Sequence, residues 1–165
     1  MLSPTRIVIN ETMQEYANHL QFKQKDILEI GIDGDESPSG SYRYFGNGNN
    51  WSTMDFLKKV NPDYVVDLTG DELPDRKWDL VICLQTLEHI YYVHKAVENI
   101  SKMVKRGGYV ILDNPWMSPY HTQPEYNDYW RMTLPCMAAM CNDVGIEIID
   151  GQQHEHYVSI LGRKI

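Results

Sequence analysis

Residues 71–115, DELPDRKWDLVICLQTLEHIYYVHKAVENISKMVKRGGYVILDNP, decide the fold. Leu80–Leu84 is a short apolar run without alternation, as expected of a strand covered on both faces. Ile90, Val93, Val97, Ile100 and Val104 then recur at steps of three and four, which predicts one buried stripe of a helix. Thr86 is placed to cap that helix, with Glu88 and His89 in its first turn. Gly107 and Gly108 stop it just after Lys102, Lys105 and Arg106, whose charges suit the negative end of a helix. Tyr109–Leu112 is the next buried strand. Strand, helix and strand at this spacing form a parallel crossover, and such units hold ligands beyond the carboxyl ends of their strands. The chemistry is therefore expected near Leu84–His89 and Asp113–Trp116.

Working outward, Glu11–Phe22 is expected to be a first helix capped by Asn10, with Met13, Tyr16, Ala17 and Leu20 on one face. Strands are expected at Asp26–Ile32, Trp51–Asp55 and Tyr64–Leu68. A Gly/Ser/Asn-rich loop at 33–50 separates the first two, with one helical turn at Tyr42–Phe45. Thr133 and Pro135 mark the start of another helix, buried through Met137, Ala138, Cys141 and Val144. Ile146–Asp150, a turn containing Gly151, and Tyr157–Leu161 read as a closing hairpin, so the last strand must run antiparallel to its neighbour. The expected architecture is a single-domain, three-layer Rossmann-like α/β sheet over residues 1–165, mostly parallel with an antiparallel C-terminal hairpin strand.

At 165 residues the chain suits one domain. Its net charge of −8, with Lys and Arg scattered in twos and threes, disfavours nucleic acid as substrate. No apolar stretch approaches a membrane span, and the first residues lack the apolar segment of a secretory signal. Cys83, Cys136 and Cys141 fall inside predicted elements, so a reduced, cytoplasmic setting is expected. His154 and His156 share a face of the closing hairpin but have no third ligand at a recognisable spacing. No metal is expected.

This order of elements resembles the class I S-adenosylmethionine-dependent methyltransferases. DILEIGIDGD (26–35) looks like the family's first motif, an apolar strand ending in an acid, one residue and a glycine. LPDRKWDLVICLQTLEHI resembles the segment through the fourth strand, and MVKRGGYVIL the approach to the fifth. HTQPEYNDYWRMT (121–133) is similar to a segment of small bacterial members of the type 11 group. One departure is plain: the family usually continues Gly-x-Gly, whereas Gly31 is followed by Ile32-Asp33-Gly34-Asp35-Glu36.

The resemblance implies S-adenosylmethionine as cofactor and a small-molecule acceptor, methylated on oxygen or nitrogen, a sugar or an anionic metabolite among the candidates. The acidic loop agrees, because its carboxylates would repel a pyrophosphate but tolerate a donor with a net positive charge. Glu29 and Gly31 would shape the turn under the methionyl group. Asp55 would accept the ribose hydroxyls, Asp67 and Leu68 would meet the adenine, and Gln85 would hold the ammonium. Each also has a plain structural reading: a strand-end acid, a turn glycine, a cap for Phe56–Val60, a turn acid. His121 and His89 are the candidate catalytic residues, while Asp128, Tyr129, Trp130 and Arg131 would line the acceptor pocket. Here too the alternatives are ordinary, a buried Tyr-Trp pair and an Arg131–Asp128 ion pair. The altered first motif keeps open a module of another class, one that binds a protein partner or the nucleoside without turnover.

Overall fold

Ile82 and Cys83 are neighbours in the chain but belong to different cores, which is why the run around them shows no alternation. In the computed structural model, which describes residues 4–32 and 40–165, a central sheet separates two apolar layers. Side chains of successive strand residues point to opposite faces. Thus Leu28, Val81, Cys83, Val110 and Leu112 meet one layer of helices, and Ile27, Leu80, Ile82 and Ile111 meet the other.

The strands are β1 (Asp26–Ile30), β2 (Asn50–Asp55), β3 (Tyr64–Val65), β4 (Trp78–Leu84), β5 (Val104–Pro115), β6 (Ile146–Gln153) and β7 (Tyr157–Lys164). Their spatial order is β3-β2-β1-β4-β5-β7-β6. β1 to β5 are parallel, and β7 runs antiparallel to both β5 and β6. The expected mostly parallel sheet with a reversed closing hairpin is the fold observed. The order reverses between β1 and β4, the place where open α/β sheets part to form a crevice.

Helix α1 (Pro4–Leu20) and the short α2 (Tyr42–Phe45) cover one face. Helices α3 (Val93–Met103) and α4 (Leu134–Asp143) cover the other. α1 extends further back than the sequence suggested. The buried stripe begins at Ile9, one turn before Met13, so Asn10 lies inside the helix rather than at its cap. Thr12 Oγ1 and Tyr157 Oη share a 2.8 Å hydrogen bond that pins α1 to β7. α4 starts as expected, with the Thr133 side chain accepting from the Cys136 amide and Pro135 in the first turn.

Four details differ from the sequence reading. β3 stops at Val65 because Asp67 accepts from the Thr69 amide and hydroxyl, turning the chain away. Glu88 and His89 lie in a separate 3₁₀ turn, Leu87–His89; extended backbone at Ile90 delays α3 until Val93. Val104 leaves α3 and pairs with Trp78, so it opens β5 instead of closing the helix stripe. Gly151 sits inside β6, where a β-carbon would come within 2.8 Å of Leu134, and the hairpin turns at 154–156 instead.

At the amino ends of the strands, Lys105 Nζ bridges Asp26 and Asp79 at 2.9 Å each. The bond from Lys105 lowers the Asp26 carboxyl to about 2. A carboxylate depressed on folding contributes its stability above its unfolded value, near 4, and loses it as pH falls toward 2. Lys105→Met is therefore expected to cost about 1 kcal/mol near neutrality, discounted because the pair is partly solvated. In urea denaturation, the gap from wild type should narrow steadily between pH 4 and pH 3.

Candidate functional site

β1 ends at Ile30, and Gly31 follows in the left-handed region with φ of 75°. A β-carbon there would stand 1.9 Å from Thr86 Oγ1, the hydroxyl that also donates to the Leu84 carbonyl at 2.9 Å. Backbone therefore meets side chain where β1 and β4 diverge, and the chain leaves β4 through a second left-handed residue, Gln85 (φ 47°). A non-glycine residue there costs on the order of 1–2 kcal/mol, and such positions gather at functional sites. Gln85 is fixed at both ends. Its amide N–H donates to the Asp113 carbonyl at 3.1 Å, and its side-chain amide donates to Asp113 Oδ1.

Beyond these strand ends lies a cleft of about 1030 Å³. Along one side stand Gly31, Asp55, Asp67 and Leu68, with Gln85 and Thr86 at its centre. Asp55 closes β2 and accepts from the Ile32 amide at 3.1 Å and the Leu57 amide at 2.7 Å. Burial raises its carboxyl above the usual range against those bonds. A carboxylate has about four acceptor sites, so two amides leave capacity for a ligand's hydroxyls. The opposite end is ringed and polar: His89, His121, Tyr126 and Tyr129 line it, joined by Tyr91 and Tyr92.

The two histidines meet edge to face, with ring centroids 4.9 Å apart. His89 Nδ1 lies 2.7 Å from the Asn127 carbonyl, which can only accept, so this nitrogen carries the hydrogen. His121 Nδ1 likewise faces acceptors, Asp128 Oδ2 and the Pro119 carbonyl, both at 3.3 Å. Both Nε2 atoms turn toward Glu88, which is wholly buried, and reach its Oε1 at 3.6 and 3.8 Å. Burial pushes the Glu88 carboxyl up to about 8, and neighbouring Asp113 and Asp128 add to the effect.

Of the residues expected from sequence, Gly31, Asp55, Asp67, Leu68, Gln85, His89, His121 and Tyr129 line this one cleft. Glu29 is buried in β1 and does not reach its wall. Asp128, Trp130 and Arg131 stand behind the wall. Arg131 spends all five N–H groups on Asp128 and on the Ser118, Pro119 and Trp130 carbonyls. That pairing holds the Asp128 carboxyl at about 2. Trp130 donates to the Ile90 carbonyl at 2.9 Å and packs on the core. Asp33, Gly34, Asp35 and Glu36 lie outside the described residues.

Sequence reasoning did not single out Thr86 as the partner of Gly31, or Tyr126, whose ring lies 4.3 Å from that of His89. It placed Glu88 in the first turn of the long helix, whereas the residue sits in a separate 3₁₀ turn before α3. Local sequence carried no signal for these roles, since each depends on a neighbour far along the chain.

A family model described as a methyltransferase domain matches residues 9–143. No match appeared among curated proteins. Among solved structures, 1,6-didemethyltoxoflavin-N1-methyltransferase of Burkholderia thailandensis, with bound 1,6-didemethyltoxoflavin and S-adenosylhomocysteine, superposes with a TM-score of 0.72 at 12% identity. That alignment covers 94% of this chain and 77% of that one. Magnesium protoporphyrin IX methyltransferase of Synechocystis PCC 6803 gives 0.72 at 13% identity, over 100% and 89% of the two chains. N-methyltransferase NodS of Bradyrhizobium japonicum gives 0.66 at 12%, over 98% and 97%. At these identities the likeness is one of fold.

The contact between positions 31 and 86 is open to a double-mutant cycle. Gly31→Ala should destabilise the protein by more than the roughly 1 kcal/mol of a left-handed alanine. Thr86→Ala, which removes the nearest obstructing atoms, should lower the cost of the same substitution, with a coupling on the order of 1 kcal/mol in denaturant melts.

Proposed function

The chain belongs to the methyltransferase-domain family, the class I S-adenosylmethionine-dependent enzymes, and on that premise we propose that it methylates an oxygen or nitrogen of a small, neutral acceptor, a sugar foremost. We take residues 1–165 as one catalytic domain. S-adenosylmethionine is the donor. The observation that carries the reading is that Gly31, Asp55 and Asp67 share one wall of the cleft at the β1/β4 exit, with a polar, ringed end beyond them.

In this reading the adenosine lies along β1 and β2, where open α/β sheets take their ligands. Asp55 accepts the ribose hydroxyls with the lone pairs its two amide bonds leave over. Leu68 packs on the adenine, and Asp67 accepts from its amino group. Gln85, held by Asp113, turns backbone toward the methionyl ammonium. Glu29 supports the turn from below. A sulfonium and an ammonium against one carboxylate leave the donor positive, which suits a cleft bordered by Asp55 and Asp67 in a chain of net charge −8.

Methyl transfer is an in-line displacement on an activated donor, so alignment and exclusion of water supply most of the rate. An acceptor hydroxyl must also give up its proton. His121 and His89, which line that end of the cleft, make the loss easier. Tyr126 and Tyr129 offer ring faces and hydroxyls, a lining suited to a sugar. Arg131 has no N–H left for an anion, which turns the choice away from an anionic metabolite. Asp128, Arg131 and Trp130 then act as positioning residues.

Isothermal titration should show one S-adenosylhomocysteine or S-adenosylmethionine per chain. Asp55→Ala should weaken binding by tenfold or more, the scale of lost hydrogen bonds to a charged group. Absence of heat from both nucleosides would overturn the reading. Against a panel of sugars and small amines with labelled donor, His121→Ala should lower kcat by about a hundredfold or more and leave the nucleoside affinity within twofold.

A further inference from the structure

Glu88, His89 and His121 make an arrangement that acid–base chemistry alone does not require. Their ligand atoms all lie within 4.8 Å of one another. The Glu88 side chain is 0% exposed, and neither carboxylate oxygen finds a hydrogen-bond donor among the described residues. A charge buried in this way is stabilised by a partner or by a metal. Both facing groups are imidazole Nε2 atoms; in the neutral rings the Nδ1 bonds put the hydrogen on the far nitrogen, so these atoms offer lone pairs rather than donors. With Glu88 ionised, three acceptors converge on one point, and a cation that displaces the carboxyl proton is what they can share.

The surroundings supply what such a centre needs. Histidines that bind metals usually donate their second nitrogen to a carboxylate or carbonyl, which fixes ring and tautomer. His121 does so to Asp128, itself gripped by Arg131, and His89 does so to the Asn127 carbonyl. The Tyr129 amide donates to the Glu88 carbonyl at 2.7 Å and holds the loop bearing Asp128 against the turn bearing Glu88. The separations of 3.6 and 3.8 Å slightly exceed the ligand spacing of a metal with bonds of about 2.1 Å.

We infer that Glu88, His89 and His121 bind a divalent first-row transition-metal ion at the acceptor end of the cleft. Two imidazoles and one carboxylate favour such an ion over magnesium or calcium. Because both histidines line the cleft, the remaining coordination positions face the acceptor. A hydroxyl held there becomes more acidic and releases its proton to water. Its oxygen then takes the methyl group, while the electron pair of the broken carbon–sulfur bond stays on sulfur as the neutral thioether. This chemistry rests on the methyl-transfer reading above, but binding of the ion does not.

The test is titration of chelator-treated protein with Co(II), followed by visible absorption and by metal analysis after gel filtration. One Co(II) per chain, displaced by Zn(II), is expected. Glu88→Gln and His121→Asn should each weaken binding at least tenfold. Asp128→Asn should weaken it too, by about tenfold, as the group that orients His121. His121 is half exposed, so its variant will fold even if Glu88→Gln does not. A cobalt spectrum unchanged from the free ion, or equal affinity in wild type and His121→Asn, would overturn the inference. S-adenosylhomocysteine titrated into the same samples separates the two ideas: nucleoside binding without cobalt removes the metal site alone, and cobalt binding without nucleoside removes the methyl-transfer reading alone.

Discussion

The space that a side chain at position 31 would occupy is filled by the hydroxyl of Thr86, and much of the molecule is arranged around that contact. It brings the ends of β1 and β4 together while letting the chains diverge beyond them. The left-handed Gly31 turns the first chain toward Asp55, whose carboxylate accepts the Ile32 amide. The left-handed Gln85 turns the second toward Asp113. Each turn is held by a hydrogen bond, the first through the Ile32 amide and the second through the Gln85 amide. The cleft is thus a consequence of how two strands are stopped.

Charge then distinguishes the two ends of the cleft. At the β1 and β2 end, Asp55 and Asp67 are satisfied first by backbone amides and present what acceptor capacity remains. At the other end, Glu88 has no donor among the described residues, while Asp128 has Arg131. The two carboxyls shift in opposite directions: burial drives Glu88 up to about 8, while the Arg131 guanidinium holds Asp128 down at about 2. One becomes a group that wants a cation, the other a fixed anion that orients His121.

Much of the fold was legible because its signals are local. The apolar run at Leu80–Leu84 is a sheet strand shared by two cores, and Val93, Val97 and Ile100 are the buried stripe of α3. Thr133 and Pro135 start a helix by capping chemistry that needs only four residues. What was not legible involved partners distant in sequence. Glu88 and His89 look like an ordinary first helical turn until His121, 32 residues later, is brought against them. Arg131 looks like an anion receptor until the Ser118 and Pro119 carbonyls claim it. The expectation of no metal weighed only His154 and His156, neighbours along the hairpin, because nothing in the local sequence joins Glu88 and His89 to His121. No helix among the described residues is long and apolar enough to cross a membrane.

A crystal structure of the protein soaked with S-adenosylhomocysteine tests the central claim most directly. The account predicts ribose hydroxyls within hydrogen-bonding distance of Asp55, adenine against Leu68, and the thioether sulfur directed toward the His89–His121 end. Density for the nucleoside on another surface, or with its ribose turned away from Asp55, would contradict it.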